Sequence, residues 1–210
     1  YMLDVSALLS KSGLKEQYAL FGGYAVLSHL MATYGPYAAI SWRGSNDIDM
    51  AGTQKVLSVL VSGFSIDSNR KSPNVTDKRT IKLHDENEQE CRIDFFVGDF
   101  EKRFGKPVTN THFGVDVSVV EPLALIRSKL QTPVREVQHA EDILGLISVL
   151  EKKGYTEDKV ASFYRSNEVS SLIDRIDLGV GNSSDDRHGF LPGKKYLEVV
   201  RKMLHKRRPV

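Results

Sequence analysis

Residues 21 to 50 read FGGYAVLSHLMATYGPYAAISWRGSNDIDM. A glycine pair opens the stretch at Gly22-Gly23, and two aspartates one residue apart close it at Asp47 and Asp49. Just before the glycines, Tyr18-Ala19-Leu20-Phe21 is an apolar run of the length a buried strand needs. Gly22-Gly23 then turns the chain sharply. Ala25, Val26, His29 and Leu30 follow at helical spacing, which predicts a helix over 24–34, stopped by Gly35-Pro36. His29, on the apolar face of that helix, reads as a core residue. After the Arg43-Gly44-Ser45-Asn46 turn, residues 47–51 alternate as a strand, with Asp47 and Asp49 on one face and Ile48 and Met50 on the other.

Each end carries a chemical possibility. Carboxylates two apart on a strand share a face, ~6.5–7 Å apart at the backbone, and can bridge hard cations such as Mg2+. A pair of such ions ~4 Å apart can stabilise both the attacking and the leaving oxygen of a phosphoryl or nucleotidyl transfer. A lone Asp-x-Asp is a weak signal, because aspartates on solvated strand faces are common. Asp94 strengthens it. In Arg92-Ile93-Asp94-Phe95-Phe96 it is an acid inside an apolar strand, where an unpaired charge is costly. A neighbouring strand bearing Asp47 and Asp49 would gather three acids, which repel unless a cation compensates. A salt bridge from Asp94 to Arg92 or a lysine is the plainer alternative. At the other end, glycines between strand and helix let backbone approach a ligand, and a helix N-terminus favours phosphate. A tight turn alone also explains them, and the Walker spacing is absent.

Outward from this stretch, Asp4 is placed to cap a helix through about residue 11, with Val5, Leu8 and Leu9 inward. Thr53 caps a helix from residue 54 to about 61, closed by Gly63. Residues 80–84 and 91–97 read as paired strands joined by the polar turn 85–90, then 100–111 as a polar connection and 115–120 as a strand. Helices follow: 123–130 behind Pro122, 137–150, one capped by Thr156 through about 164, 169–177, and a basic one over 196–206. Residues 179–193 read as a loop. Strands thus dominate to about residue 120 and helices thereafter, an α/β module (1–120) followed by a helical region (121–210) with a basic tail.

Composition sets outer bounds. Hydrophobic residues at 40% and charged residues at 27%, with signs mixed, describe a globular chain. No apolar run approaches the ~20 residues of a membrane helix, and no leader pattern opens the chain. The single cysteine, Cys91, excludes an internal disulfide and any site built on several cysteines. It reads as a small buried hydrophobe, and a cytoplasmic location fits these facts. Net charge is +2, unevenly placed: residues 194–210 hold seven Lys/Arg against one Glu, or +6, leaving −4 elsewhere. Such a tail is either a polyanion contact or a solvated helix face.

The succession of strand, Gly22-Gly23, helix, Ser45-Asn46-Asp47-Ile48-Asp49 and the later Asp94 resembles the polymerase-beta-type nucleotidyltransferase superfamily. Within it, Gly22-Gly23-Tyr24-Ala25-Val26 and Arg43-Gly44-Ser45-Asn46-Asp47-Ile48-Asp49 are most similar to the AbiEii-type toxins and related bacterial and archaeal nucleotidyltransferases. Lys129, in Leu123-Ala124-Leu125-Ile126-Arg127-Ser128-Lys129-Leu130, and Asp142, in His139-Ala140-Glu141-Asp142-Ile143-Leu144, match that group's later lysine and acid. The resemblance spans roughly residues 18–150. Two positions depart from the pattern: the turn has Gly-Gly without the Gly-Ser hydroxyl, unless Ser45 supplies one, and His139 stands where a basic residue is usual.

The resemblance implies an α+β fold, a nucleotidyltransferase-type mixed β-sheet core flanked by helices with a C-terminal helical region. It implies an enzyme that moves a nucleoside monophosphate from a nucleoside triphosphate to an acceptor hydroxyl, plausibly RNA such as a tRNA end, with two Mg2+ ions. Asp47, Asp49 and Asp94 would hold the metal. Gly22, Gly23, Arg43 and Ser45 would meet phosphate. Lys129 would offset triphosphate charge and Asp142 would orient Lys129 or the acceptor. For Lys129 a snorkelling surface lysine is the alternative, and for Asp142 a surface acid. RNA would lie on the basic C-terminal helix, and an antitoxin protein is an implied partner. The competing readings are a catalytically degenerate nucleotide-binding protein of the same fold, and a metal-dependent phosphoesterase built on the acidic cluster.

Overall fold

A computed structural model describes residues 1–42, 44–45, 47–63, 78–84, 90–131, 137–182 and 191–207. The chain forms two compact units, Tyr1–Ser28 with Gly44–Glu121, and His29–Arg43 with Pro122–Val210. The first is built on a mixed six-stranded sheet and the second on helices, an α+β architecture.

The sheet comprises β1 (Tyr18–Phe21), β2 (Asp47–Gly52), β3 (Lys78–His84), β4 (Glu90–Val97), β5 (Val108–His112) and β6 (Val115–Val119), in the order β3-β4-β2-β1-β6-β5. β1 lies between β2 and β6, which explains why Tyr18-Ala19-Leu20 is apolar without alternation: all three are fully buried. β2 runs antiparallel to β1 and parallel to β4, with Asp47 opposite Arg92 and Asp49 opposite Asp94. On the other side of β4, β3 sets Thr80 opposite Asp94. Ile48, Met50, Ile93 and Phe95 alternate with the acids and are fully buried, each worth ~1.5–3 kcal/mol of burial. Helices α1 (Met2–Lys11) and α4 (Gln54–Gly63) belong to this unit and bury Val5 and Leu9, and Val56, Leu57 and Leu60. Thr53 caps α4 through Val56 N–H, as expected. Asp4 does not cap α1. The helix starts earlier, at Met2, and Asp4 sits in its first turn, where a carboxylate favours the helix dipole.

Residues 100–111 are not a plain connection. Phe100–Phe104 is a short helix, α5, capped by Asp99, which accepts from Lys102 N–H. Phe104 stacks on Phe21 with ring centroids 5.0 Å apart, so two aromatics one turn apart suffice to anchor it. β5 follows and pairs with β6 through the two-residue turn Phe113-Gly114, both at positive φ. Its buried face carries Asn110 and His112, polar residues that hide the strand's alternation.

α2 (Gly22–Tyr34) follows β1 with no intervening loop and is divided between the units at Ser28. The helical unit holds the rest of α2, α3 (Ala38–Ser41), α6 (Pro122–Leu130), α7 (Val137–Lys152), α8 (Glu157–Phe163), α9 (Ser166–Asn182) and α10 (Lys194–Lys206). Ile143, Leu146, Ile147 and Leu150 on α7 are fully buried, as are Leu172 and Ile176 on α9. His29 is fully buried, consistent with a core residue. α9 runs five residues past residue 177, where the sequence pattern ends, into the 179–193 segment that reads as a loop. The rest of that loop at 183–190, and the 85–89 turn, lie outside the described residues.

Candidate functional site

The parallel pairing of β2 with β4 decides the site. Partners in a sheet share a face, so Asp47, Asp49, Arg92 and Asp94 occupy adjacent positions on one side. Asp47, Asp49 and Asp94 each offer a carboxylate oxygen within 4.8 Å of the others. Asp94 is almost fully buried, its side chain 4% exposed, while Asp47 retains 33%.

The surrounding groups fix these acids. Arg92 Nη2 donates to Asp47 Oδ2 at 3.0 Å, and Arg92 Nε lies 3.4 Å from Asp94 Oδ1. Thr80 Oγ1 donates to the same Asp94 oxygen at 3.0 Å. Partial burial alone would lower the Arg92 pKa, but Asp94 and then Asp47 outweigh it and raise it. The salt bridge from Asp94 to Arg92 is therefore real, and it sits within the acidic cluster rather than replacing it. The donors are all hard oxygen, the set that suits Mg2+ and its like. The three acids fit a divalent cation in chemistry and in spacing.

Gly22 belongs to the same place. Its φ is +68°, and a Cβ there would sit 2.0 Å from Asp49 Oδ2. No side chain fits: glycine is required so that the start of α2 can lie against the Asp49 carboxylate. Gly23 is buried beside it. Ser45 turns its hydroxyl onto its own strand, donating to Asp47 O at 3.2 Å and lying 3.1 Å from Asp47 Oδ1. Arg43 and Asn46 lie outside the described residues. Cys91, next to Arg92, is buried, and burial pushes its thiol up, as for an inert core cysteine.

Lys129 and Asp142 also meet, within the helical unit. Lys129 Nζ donates to Asp142 Oδ2 at 2.7 Å, with side chains 6% and 1% exposed. Neither is the solvated surface residue that sequence left open. His139 and Asp142 are both on α7, one turn apart.

Arg92 and Thr80 join the cluster beyond what the sequence shows, where Arg92 reads only as a partner for Asp94. The signal was available, since Arg92 alternates onto the same strand face as Asp94. For Thr80 there is none, because the sequence pairs the two strands without fixing the register that sets Thr80 opposite Asp94.

No family model matches the sequence, and no curated protein matches it. Among solved structures, the fold is similar to an antigenic nucleotidyltransferase-like protein from Paracoccidioides brasiliensis, with a TM-score of 0.51 at 17% identity. The match covers 94% of this chain and 97% of that one. The chain thus has a nucleotidyltransferase-like fold carrying an acidic triad able to hold metal. Among the described residues, no helix is long and apolar enough to cross a membrane.

Proposed function

We propose that this chain is a Mg2+-dependent nucleotidyltransferase that moves a nucleoside monophosphate from a nucleoside triphosphate to an acceptor hydroxyl. The carrying observation is the convergence of Asp47, Asp49 and Asp94 within 4.8 Å in a fold of this type. Bound Mg2+ would neutralise phosphate charge and polarise the reacting phosphorus. Asp47 and Asp49 would hold the ion, and Asp94 would complete the ligand set. Asp94 is also the acceptor's base: it takes the hydroxyl proton as the acceptor oxygen bonds to the α-phosphorus and pyrophosphate leaves. Gly22-Gly23 and Arg43 serve the phosphates. Ser45 is a weaker phosphate ligand than the sequence suggests, since its hydroxyl already turns to Asp47. Lys129, oriented by Asp142, offsets triphosphate charge.

The finer reading is an AbiEii-like, toxin-type enzyme with RNA, such as a tRNA end, as acceptor and an antitoxin protein as partner. It is supported by the motif order and by α10, whose solvent face carries Lys194, Lys195, Lys202 and Lys206. Arg201 and Arg207 serve the fold instead. Arg201 pairs with Asp177, and Arg207 donates to Ala161 O and Tyr164 O.

One observation favours a degenerate nucleotide-binding protein instead: the turn has no hydroxyl of its own, and that of Ser45 is committed to Asp47. Incubation with α-labelled nucleoside triphosphates, Mg2+ and total RNA tests the proposal. Label in RNA is the expected result. RNA shortened without label points to a phosphoesterase, and nucleotide binding without transfer to the degenerate reading.

A further inference from the structure

Arg92 stands among the acids without belonging to them. β2 and β4 place it opposite Asp47, and its own strand places it two residues before Asp94. Its guanidinium reaches one oxygen of each, Asp47 Oδ2 at 3.0 Å and Asp94 Oδ1 at 3.4 Å. These are two of the three carboxylates a divalent cation would need. The contacts are single, spread over two carboxylates, and so lack the strength of a bidentate fork on one. The two ends also differ in freedom. Asp94 is 4% exposed and held by Thr80, whereas the Arg92 side chain is 47% exposed. A flexible stem on the wet side of a fixed pair can leave without unpacking the core.

We infer that Arg92 is a displaceable counter-ion: it holds Asp47 and Asp94 together in the metal-free protein and gives them up when a divalent cation enters. The inference rests on the metal-dependent reading of the site. The guanidinium holds one oxygen on each of two carboxylates that an ion would use, and its charge repels that ion. Metal affinity is therefore set below what the three acids alone would give. In exchange, the metal-free protein escapes part of the repulsion among them. Arg92 is a positioning residue for the acids in one state and a competitor for them in the other.

The test uses the full chain and two variants, Arg92→Met, which keeps an apolar stem, and Arg92→Lys. Mn2+ is titrated by calorimetry, with Mg2+ as competitor, and thermal melts are taken with and without Mg2+. Arg92→Met is expected to bind Mn2+ about fivefold tighter than wild type, the upper end of what a half-exposed ion pair such as Arg92–Asp47 is worth. Its metal-free melting temperature should fall, and Mg2+ should raise it by more than in wild type. Arg92→Lys should fall between, because a single ammonium does not span two carboxylates as a guanidinium does. Equal or weaker Mn2+ binding by a folded Arg92→Met, with wild type binding normally, overturns the inference and leaves the metal reading intact. If neither protein binds Mn2+ at millimolar concentration, the metal reading itself falls, and the inference with it.

Discussion

Gly22 shows how a residue's reading changes once its neighbours are known. From sequence it is half of a phosphate turn; in the structure its lack of a side chain is required by the Asp49 carboxylate and by a φ of +68°. Gly22→Ala should therefore act on the acids as well as on any phosphate. The left-handed backbone and the collision together should lower stability by about 1–3 kcal/mol in urea melts, with metal binding weakened in parallel. An alanine variant of wild-type stability and metal affinity would show that the turn tolerates a side chain. His112 supplies a second test. Buried on β5, its Nε2 lies 2.8 Å from Ser28 Oγ, which also accepts from Asn110 Nδ2 at 3.0 Å. Burial pushes the His112 pKa down, and the Ser28 contact opposes this only in part. Below about pH 6.5 the unfolded chain then binds a proton that the folded chain refuses. Stability should fall as pH drops from that point towards the lower folded-state pKa, and rise again with pH. His112→Gln should flatten that part of a stability profile, as read by melts from pH 7 to pH 5. An unchanged slope would place the acid sensitivity elsewhere.

At the scale of elements, the sequence was most readable where burial and spacing agree. β1 and β2, the helix of α2 within the second unit's share and the first, and the long α7 all follow from apolar spacing. What escaped was structure stabilised by contacts that no local pattern announces. α5 is held by Phe104 on Phe21, and β5 turns Asn110 and His112 inward. The pair linking α6 to α7 falls between these cases. Lys129 and Asp142 stand out in the sequence, but their burial does not, because it is a property of packing that no local spacing announces. That burial makes a sharp prediction. Asp142→Ala would strand the Lys129 ammonium and should cost about 3–5 kcal/mol. Replacing both, Lys129→Met with Asp142→Leu, should restore most of that stability while nucleotidyl transfer stays lost. Denaturant melts and label transfer on the same proteins separate the two effects. Transfer by the stable double variant would make the pair purely structural.

At the scale of the whole molecule, the acidic triad was legible as a possibility and became a site only through strand order. Nothing in residues 47–49 or 92–94 states that β2 and β4 lie side by side and parallel. The basic tail shows the reverse: its charge was plain, but its division of labour was not. α10 buries Leu197, Val200 and Leu204, so deleting residues 194–210 would damage the helical core along with any RNA contact. Reversing Lys195, Lys202 and Lys206 to Glu, all on the solvent face, is the cleaner change. It should weaken RNA binding by tenfold or more at low salt and flatten its salt dependence, with melting temperature and nucleoside triphosphate binding close to wild type. Unaltered RNA affinity would remove α10 from the acceptor site.

Asp47, Asp49 and Asp94 are proposed to form a metal site that drives nucleotidyl transfer. Label transfer from α-labelled nucleoside triphosphates to RNA, with and without Mg2+, comparing wild type with Asp49→Asn, tests it most directly. Mg2+-dependent label in RNA is expected with wild type and none with Asp49→Asn, whose metal-free melting temperature should match or exceed wild type once one repelling charge is gone. Full transfer by a folded Asp49→Asn, or transfer by wild type that survives complete removal of divalent cations, would contradict it.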